Sequence, residues 1–218
     1  DFQLGRVVED CRSQGVTLVI TSYHGTVEEW LYPDGAINTG HTKNPVPFII
    51  ADFASKNPES LGMNREGELA DVAPTLLDIL GIQKPSEMTG KNMLQSSFKD
   101  DGAARRVLLL ILDGWGMREE KEGNLIAEAR TPNFDILWSR FPHALLKASG
   151  EAVGMPSQTV GNSEAGHLHI GAGRRIFLDR VKIDKAIEDR SFFRNEAFRW
   201  AMEGAKKDRK ALHLLGIV

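Results

Sequence analysis

Apolar positions along the first third of the chain change their period twice. Leu4, Val7, Val8 and Cys11 recur at the spacing of one helix face, and Gly15 ends that pattern before the β-branched run VTLVITS, Val16 to Ser22, which reads as a buried strand. A loop leads to a second extended run, PVPFIIA (Pro45 to Ala51). After it comes LADVAPTLLDILG, in which Val72, Leu76 and Leu80 form one helical stripe and Gly81 is a C-terminal stop. Residues 95–105, QSSFKDDGAAR, are polar and small with no period, so they read as a linker or a long surface loop. RVLLLILD (Arg106 to Asp113) is almost continuously apolar, the pattern of a central strand covered on both faces. ALLKASG (Ala144 to Gly150) and ALHLLGIV (Ala211 to Val218) are further strand candidates, and helices are predicted over about 131–140, 181–189 and 192–206. Strands alternating with helices predict an α/β fold, a mostly parallel sheet with helices on both faces.

Composition narrows the partner more than the fold. With 218 residues, 41% hydrophobic and 26% charged, the chain is expected to form one globular domain around one substantial core. A net charge of -3, from 27 basic and 30 acidic side chains, supplies no basic face for nucleic acid or a membrane surface, so a small molecule is the expected partner. Cys11 is the only cysteine; an intramolecular disulfide is excluded, and its place on the apolar stripe makes it a core residue. The longest apolar run, Val107 to Leu112, is too short to span a bilayer, and the opening residues DFQLGRVVEDCR lack a signal-peptide apolar stretch. The expected location is the cytoplasm.

Chemistry in such sheets collects at the carboxyl ends of strands. The first strand runs into Ser22-Tyr23-His24-Gly25 and the apolar strand into Asp113-Gly114-Trp115-Gly116. A carboxylate and an imidazole at adjacent strand ends suit a divalent ion such as Mn²⁺ or Zn²⁺. On their own residues Asp113 reads more readily as a turn aspartate, and His24 and His41 as loop histidines bonded to backbone. The segment MPSQTVGNSEAGHLHIGAGR, residues 155–174, is more specific. Ser163 there is either the N-cap of a short helix with Glu164 in its first turn, or a nucleophile placed where unpaired N–H groups favour a phosphate. A P-loop does not fit, because no Gly-Lys-Ser/Thr is present. A serine hydroxyl needs a base or a metal to act near neutral pH, and Asp113 with His24 could hold that metal.

Taken together, VLLLILDGWG, NLIAEARTPNFDIL and SGEAVGMPSQTVGNSEAGHLHIGAGR resemble the beginning of cofactor-independent phosphoglycerate mutase, a metal-dependent family of the alkaline phosphatase superfamily. GVTLVITSYHGTVEEW, HTKNPVPFII and GELADVAPTLLDILGIQKPSEMTGKNM resemble its end. The order is permuted: residues 1–94 match the family's C-terminal part and 106–218 its N-terminal part, joined by the linker 95–105, and the family's middle has no counterpart. The resemblance implies an incomplete, permuted phosphatase-like domain. It implies Ser163 as the residue that becomes phosphoserine, Asp113, Ser163 and His24 as ligands of one Mn²⁺, and His41 as a ligand of a second. Tyr23 stands where the family carries a carboxylate ligand, and the family's Asp-x-x-x-His ligands find no match in residues 1–218. One Mn²⁺ is therefore expected rather than two, with Mg²⁺, Co²⁺ or Zn²⁺ as alternatives. His167 and His169 match no family ligand and read as structural. The implied activity is interconversion of 3-phosphoglycerate and 2-phosphoglycerate, impaired in this chain alone; the alternatives are a non-catalytic scaffold and a weak phosphomonoester hydrolase. An uncovered sheet edge further implies self-association or a complementing chain.

Overall fold

The computed structural model describes residues 1–32, 34–55, 59, 61–96, 98 and 105–215. Much of the 95–105 linker, and Gly216 to Val218 at the end of the last strand candidate, lie outside the described residues. The chain divides into two compact units, Asp1–Ile176 and Phe177–Val218.

The first unit is built on a five-stranded sheet. Helix α1 (Phe2–Gln14) ends at Gly15, whose φ of 60° gives the left-handed turn that closes the helix. Strands β1 (Thr17–Thr21) and β2 (Val46–Asp52) follow, buried along their whole length, then the short β3 (Glu66–Glu68) and helix α2 (Val72–Ile79). β4 (Val107–Ile111) precedes α3 (Leu125–Glu128), α4 (Pro132–Arg140), β5 (His143–Lys147) and α5 (Ser163–Ala172). The spatial order is β3-β5-β2-β1-β4. β1 is parallel to β4 and antiparallel to β2, while β5 is antiparallel to β2 and parallel to β3. Four strands thus run one way and β2 alone runs back. Strands from either side of the linker interleave, since β5 lies between β3 and β2.

Alternation along the strands splits the core in two. Val19, Phe48 and Ile50 join Val72 and Ile79 of α2 and Ala165 and Ile170 of α5 on one face. Leu18, Ile20, Ile49 and Ala51 join Leu4 and Cys11 of α1 and Phe134 and Leu137 of α4 on the other. Each side chain of this size taken out of water contributes roughly 1.5–3 kcal/mol, so covering both faces is what the apolar runs require.

Several expectations change. β4, read as a central strand, is the outer strand of the sheet, with Leu108 40% exposed. Its apolar run reports that both faces are covered, by Leu109 and Ile111 on one side and Leu110 and Leu112 on the other; it carries no information about lateral neighbours. β3 was not expected, because Glu66-Gly67-Glu68 has no apolar pattern and is a strand only through its pairing with β5. In the second unit, α6 (Asp179–Glu188) and α7 (Glu196–Lys207) flank a short turn, Phe192–Arg194. The single helix expected over 192–206 is broken at Asn195, whose side chain accepts from the Ala197 and Phe198 N–H groups and restarts the helix. Residues 211–215 of the Ala211 to Val218 candidate are not strand, and Leu214 and Leu215 are fully exposed: apolar content alone supplies no partner for strand hydrogen bonds.

His169 is structural, as expected. It is buried on α5, donates from Nδ1 to the Ala165 carbonyl at 2.7 Å, and accepts at Nε2 from the Ile176 N–H at 3.0 Å. Burial pushes its pKa below the ordinary 6.5. Above 6.5 folded and unfolded chains both hold it neutral; below 6.5 the unfolded chain takes up a proton that the folded chain resists. The unfolding temperature is therefore expected to drop as pH is lowered from 7 to 5, and less steeply in His169→Gln, a comparison made by scanning calorimetry. Packing generates a second expectation. A Cβ on Gly166 would stand 2.6 Å from Tyr23 Cβ and 2.7 Å from the Tyr23 carbonyl oxygen, whereas one on Gly171, in the same helix, meets nothing within 4 Å. Helix propensity alone favours alanine at both by about 1 kcal/mol. Gly171→Ala is expected to gain up to that much, and Gly166→Ala to lose roughly 1–3 kcal/mol through overpacking, in urea denaturation.

Candidate metal centre

Three chain segments meet at the carboxyl end of β1. Because β1 and β4 are parallel with Thr21 opposite Ile111, the segments after them leave side by side, carrying Tyr23 and His24 from one and Asp113 from the other. β2 runs back, so its beginning lies at this same end, with Thr21 opposite Phe48. His41 arrives there on the segment before β2, tied by the Thr42 N–H to the Gly25 carbonyl at 3.0 Å. The fourth element is α5, which Gly166 allows to rest directly on Tyr23.

The helix start answers one question left open by the sequence. Asn162, not Ser163, is the N-cap, its side chain accepting from the Ala165 N–H at 2.8 Å. Ser163 is the first helical residue and is exposed, so its hydroxyl is not consumed in capping.

His24, Asp113 and Ser163 converge. His24 Nε2 lies 3.4 Å from Ser163 Oγ and 3.8 Å from Asp113 Oδ1. The other ring nitrogen, Nδ1, faces the Gly25 carbonyl at 3.2 Å. A carbonyl only accepts, so Nδ1 carries the proton and Nε2 presents its lone pair to the serine and the aspartate. Burial, and next the neighbouring His41, push the His24 pKa below 6.5, against the opposing pull of the Gly25 carbonyl, Asp113 and Glu28. Beside Asp113, His24 is accordingly disfavoured as a cation.

A serine, a histidine and an aspartate in contact also invite comparison with a hydrolytic triad. The geometry differs: a triad aspartate binds the nitrogen opposite the serine, whereas Asp113 and Ser163 here share Nε2. Donors held about 2.0–2.2 Å from one ion stand about 3.0–3.5 Å from one another. Ser163 Oγ at 3.4 Å falls within that range and Asp113 Oδ1 at 3.8 Å lies just beyond it, so the three could share one divalent ion after a small inward shift of the exposed Asp113 side chain. The carbonyl on Nδ1 is the outer partner that a ligating histidine ordinarily has.

His41 stacks on His24 with ring centroids 3.7 Å apart, and Thr26 Oγ lies 3.2 Å from His41 Nδ1 and 3.3 Å from His24 Nδ1. Among the described residues no group of three or more His, Cys, Asp or Glu side chains is arranged to hold an ion. The candidate donors are therefore one imidazole, one carboxylate and one hydroxyl. Tyr23 is 7% exposed; burial, then the hydrogen bond donated to Asp113, raise its phenol pKa, partly offset by one from Ser163. A neutral phenol so lies between two of the three donors. His167 is exposed on α5, bonded through Nδ1 to the Ser163 carbonyl at 2.9 Å, with its ring 4.3 Å from that of Tyr23.

Sequence reasoning missed Glu28. In VEEW it resembles any solvated helix carboxylate, yet it is completely buried. Its Oε2 accepts from the N–H groups of Thr26 at 2.8 Å and Gly116 at 3.1 Å; its Oε1 accepts from the Thr42 hydroxyl and from Asn44 Nδ2 at 3.0 Å. The available signal was the pair Gly25 and Gly116, where any Cβ would collide with this carboxylate.

The 2,3-bisphosphoglycerate-independent phosphoglycerate mutase 1 of Methanosarcina barkeri (strain Fusaro / DSM 804) is 51% identical over 116 residues, which are 53% of this chain and 22% of that protein. The 2,3-bisphosphoglycerate-independent phosphoglycerate mutase of Idiomarina loihiensis (strain ATCC BAA-735 / DSM 15497 / L2-TR) is 49% identical over 112 residues, 51% of this chain and 22% of that protein. The matched part of the chain thus spans under a quarter of either relative's length. Residues 1–84 and 105–217 match the Metalloenzyme superfamily, and the two stretches take in the strands, the helices and every donor of the site: the chain belongs to that superfamily.

Proposed function

We propose that the site performs metal-dependent phosphoryl transfer through a phosphoserine at Ser163, of the kind that interconverts 3-phosphoglycerate and 2-phosphoglycerate. The observation that carries this reading is the convergence of Ser163 Oγ and Asp113 Oδ1 on the unprotonated nitrogen of His24. Two relatives named as phosphoglycerate mutases support the substrate class. The interleaving of strands from residues 1–94 and 106–218 in one sheet supports a permuted order of the two parts.

A divalent ion held by Asp113, Ser163 and His24, Mn²⁺ in the first instance, would lower the pKa of the serine hydroxyl and offset phosphoryl charge. The chain's residues supply the rest. Asn162 takes the Ala165 N–H and leaves the amides ahead of it, at the positive end of α5, for phosphoryl oxygens. Ser163 Oγ forms a bond to phosphorus as the bond from phosphorus to the substrate oxygen breaks. The hydroxyl proton passes to solvent, to which Ser163 is open, and the departing alkoxide is protonated from water. Transfer from phosphoserine to the other hydroxyl of a retained glycerate gives the isomer; transfer to water gives hydrolysis. Exposure of Ser163, and of Asp113 at 78% of its side chain, favours water as the acceptor in this chain alone.

Incubation with Mn²⁺ and 3-phosphoglycerate, followed by mass spectrometry of the peptide containing Ser163, tests the reading. A phosphoryl adduct is expected on Ser163, absent in Ser163→Ala and reduced at least about tenfold in Asp113→Asn, which removes a charged ligand. Phosphorus NMR of the same mixture separates 2-phosphoglycerate from inorganic phosphate. No adduct in a chain that has bound Mn²⁺ would overturn the proposal.

A further inference from the structure

Glu28 touches neither Ser163 nor Asp113 in any hydrogen bond, yet its donors come from each of the three segments that carry His24, Asp113 and His41. Thr26 follows His24 on the segment after β1; Gly116 follows Asp113 after β4; Thr42 and Asn44 follow His41 ahead of β2. A carboxylate offers about four lone-pair positions, and the four donors fill them. All four are neutral, so the carboxylate is held by hydrogen bonds alone and has no freedom to turn toward a cation. Gly25 and Gly116 allow the approach, since a side chain at either position would fall on the carboxylate.

We propose that Glu28 is a positioning residue for the metal centre: a buried anionic clamp that fixes the spacing of His24, His41 and Asp113 by tying their three loops to one carboxylate. Dependence on metal binding rests on the phosphoryl-transfer reading above; the clamp itself does not. Two consequences follow from the donor count. Glutamine in place of Glu28 has one accepting oxygen: kept on the Thr26 and Gly116 N–H groups it binds them as a neutral acceptor, more weakly than the carboxylate, and its NH₂ forces the Thr42 hydroxyl and the Asn44 amide to turn round. The cost reaches the ion through displaced ligands, the way loss of an outer-shell partner typically lowers metal affinity about 10–100-fold.

The test compares wild type, Glu28→Gln and Thr42→Val, which removes one donor and keeps the carboxylate. Mn²⁺ affinity is read by electron paramagnetic resonance titration well below each unfolding temperature, and amide hydrogen exchange of Thr26 and Gly116 is read by NMR without metal. Glu28→Gln is expected to weaken Mn²⁺ binding about 10–100-fold and to lower protection at both amides, whose acceptor loses its charge; Thr42→Val is expected to show a smaller loss of affinity and to keep both amides protected. Equal affinity and unchanged exchange in Glu28→Gln would overturn the clamp. If the wild type binds no Mn²⁺, the phosphoryl-transfer reading falls, and the exchange of Thr26 and Gly116 still decides the clamp. Should Glu28→Gln fail to fold, Thr42→Val carries the test: unchanged Mn²⁺ affinity there would overturn it.

Discussion

The site depends first on the two neighbours of β1. On one side β4 runs parallel, so the segments leaving both strands emerge at one end and bring Tyr23, His24 and Asp113 together. On the other side β2 runs antiparallel, so the segment that precedes it, with His41, Thr42 and Asn44, arrives at that same end. Reversing either relation would send a donor to the opposite side of the sheet. The apolar alternation of β1 and β2, packed against α1 and α4 below and α2 and α5 above, holds these relations in place. α5 completes the arrangement because Gly166 lets its backbone lie on Tyr23 and so carries Ser163 to His24.

Electrostatics at this end follow from burial without cations. Among the described residues no lysine or arginine meets the Glu28 carboxylate, which is satisfied by two backbone N–H groups, a hydroxyl and an amide. His24, desolvated and stacked against His41, is disfavoured as a cation. The cluster therefore leaves the Asp113 carboxylate and the His24 imidazole as the groups open to a divalent cation, since the Glu28 carboxylate is already filled. Tyr23 weakens the set, since its phenol adds an oxygen without charge between Asp113 and Ser163.

Much of this was legible in the sequence, for identifiable reasons. The 3.6-residue stripe of Leu4, Val7, Val8 and Cys11 and the apolar runs of β1 and β2 gave helix, strand and strand, because a period reports which faces are covered. It does not report lateral order, which is why the apolar run of β4 suggested a central strand and the structure has it at the rim. Long-range pairing alone creates β3, and its lack leaves residues 211–215 without strand. In the site, motif reading reached His24, Asp113, Ser163 and His41, whose spacing along the chain gives no distance between them. It did not reach Glu28, whose four donors lie 2, 14, 16 and 88 residues away in the chain, nor the cap at Asn162 that frees Ser163.

The most direct test of the account is a count of ions. Mn²⁺ bound per chain, measured by elemental analysis after equilibration and removal of free ion, is predicted to be about one for the wild type and close to zero for Asp113→Asn, as expected of one site held by His24, Asp113 and Ser163. No ion in the wild type, or one that survives loss of Asp113, would contradict the claim that His24, Asp113 and Ser163 together form a metal centre.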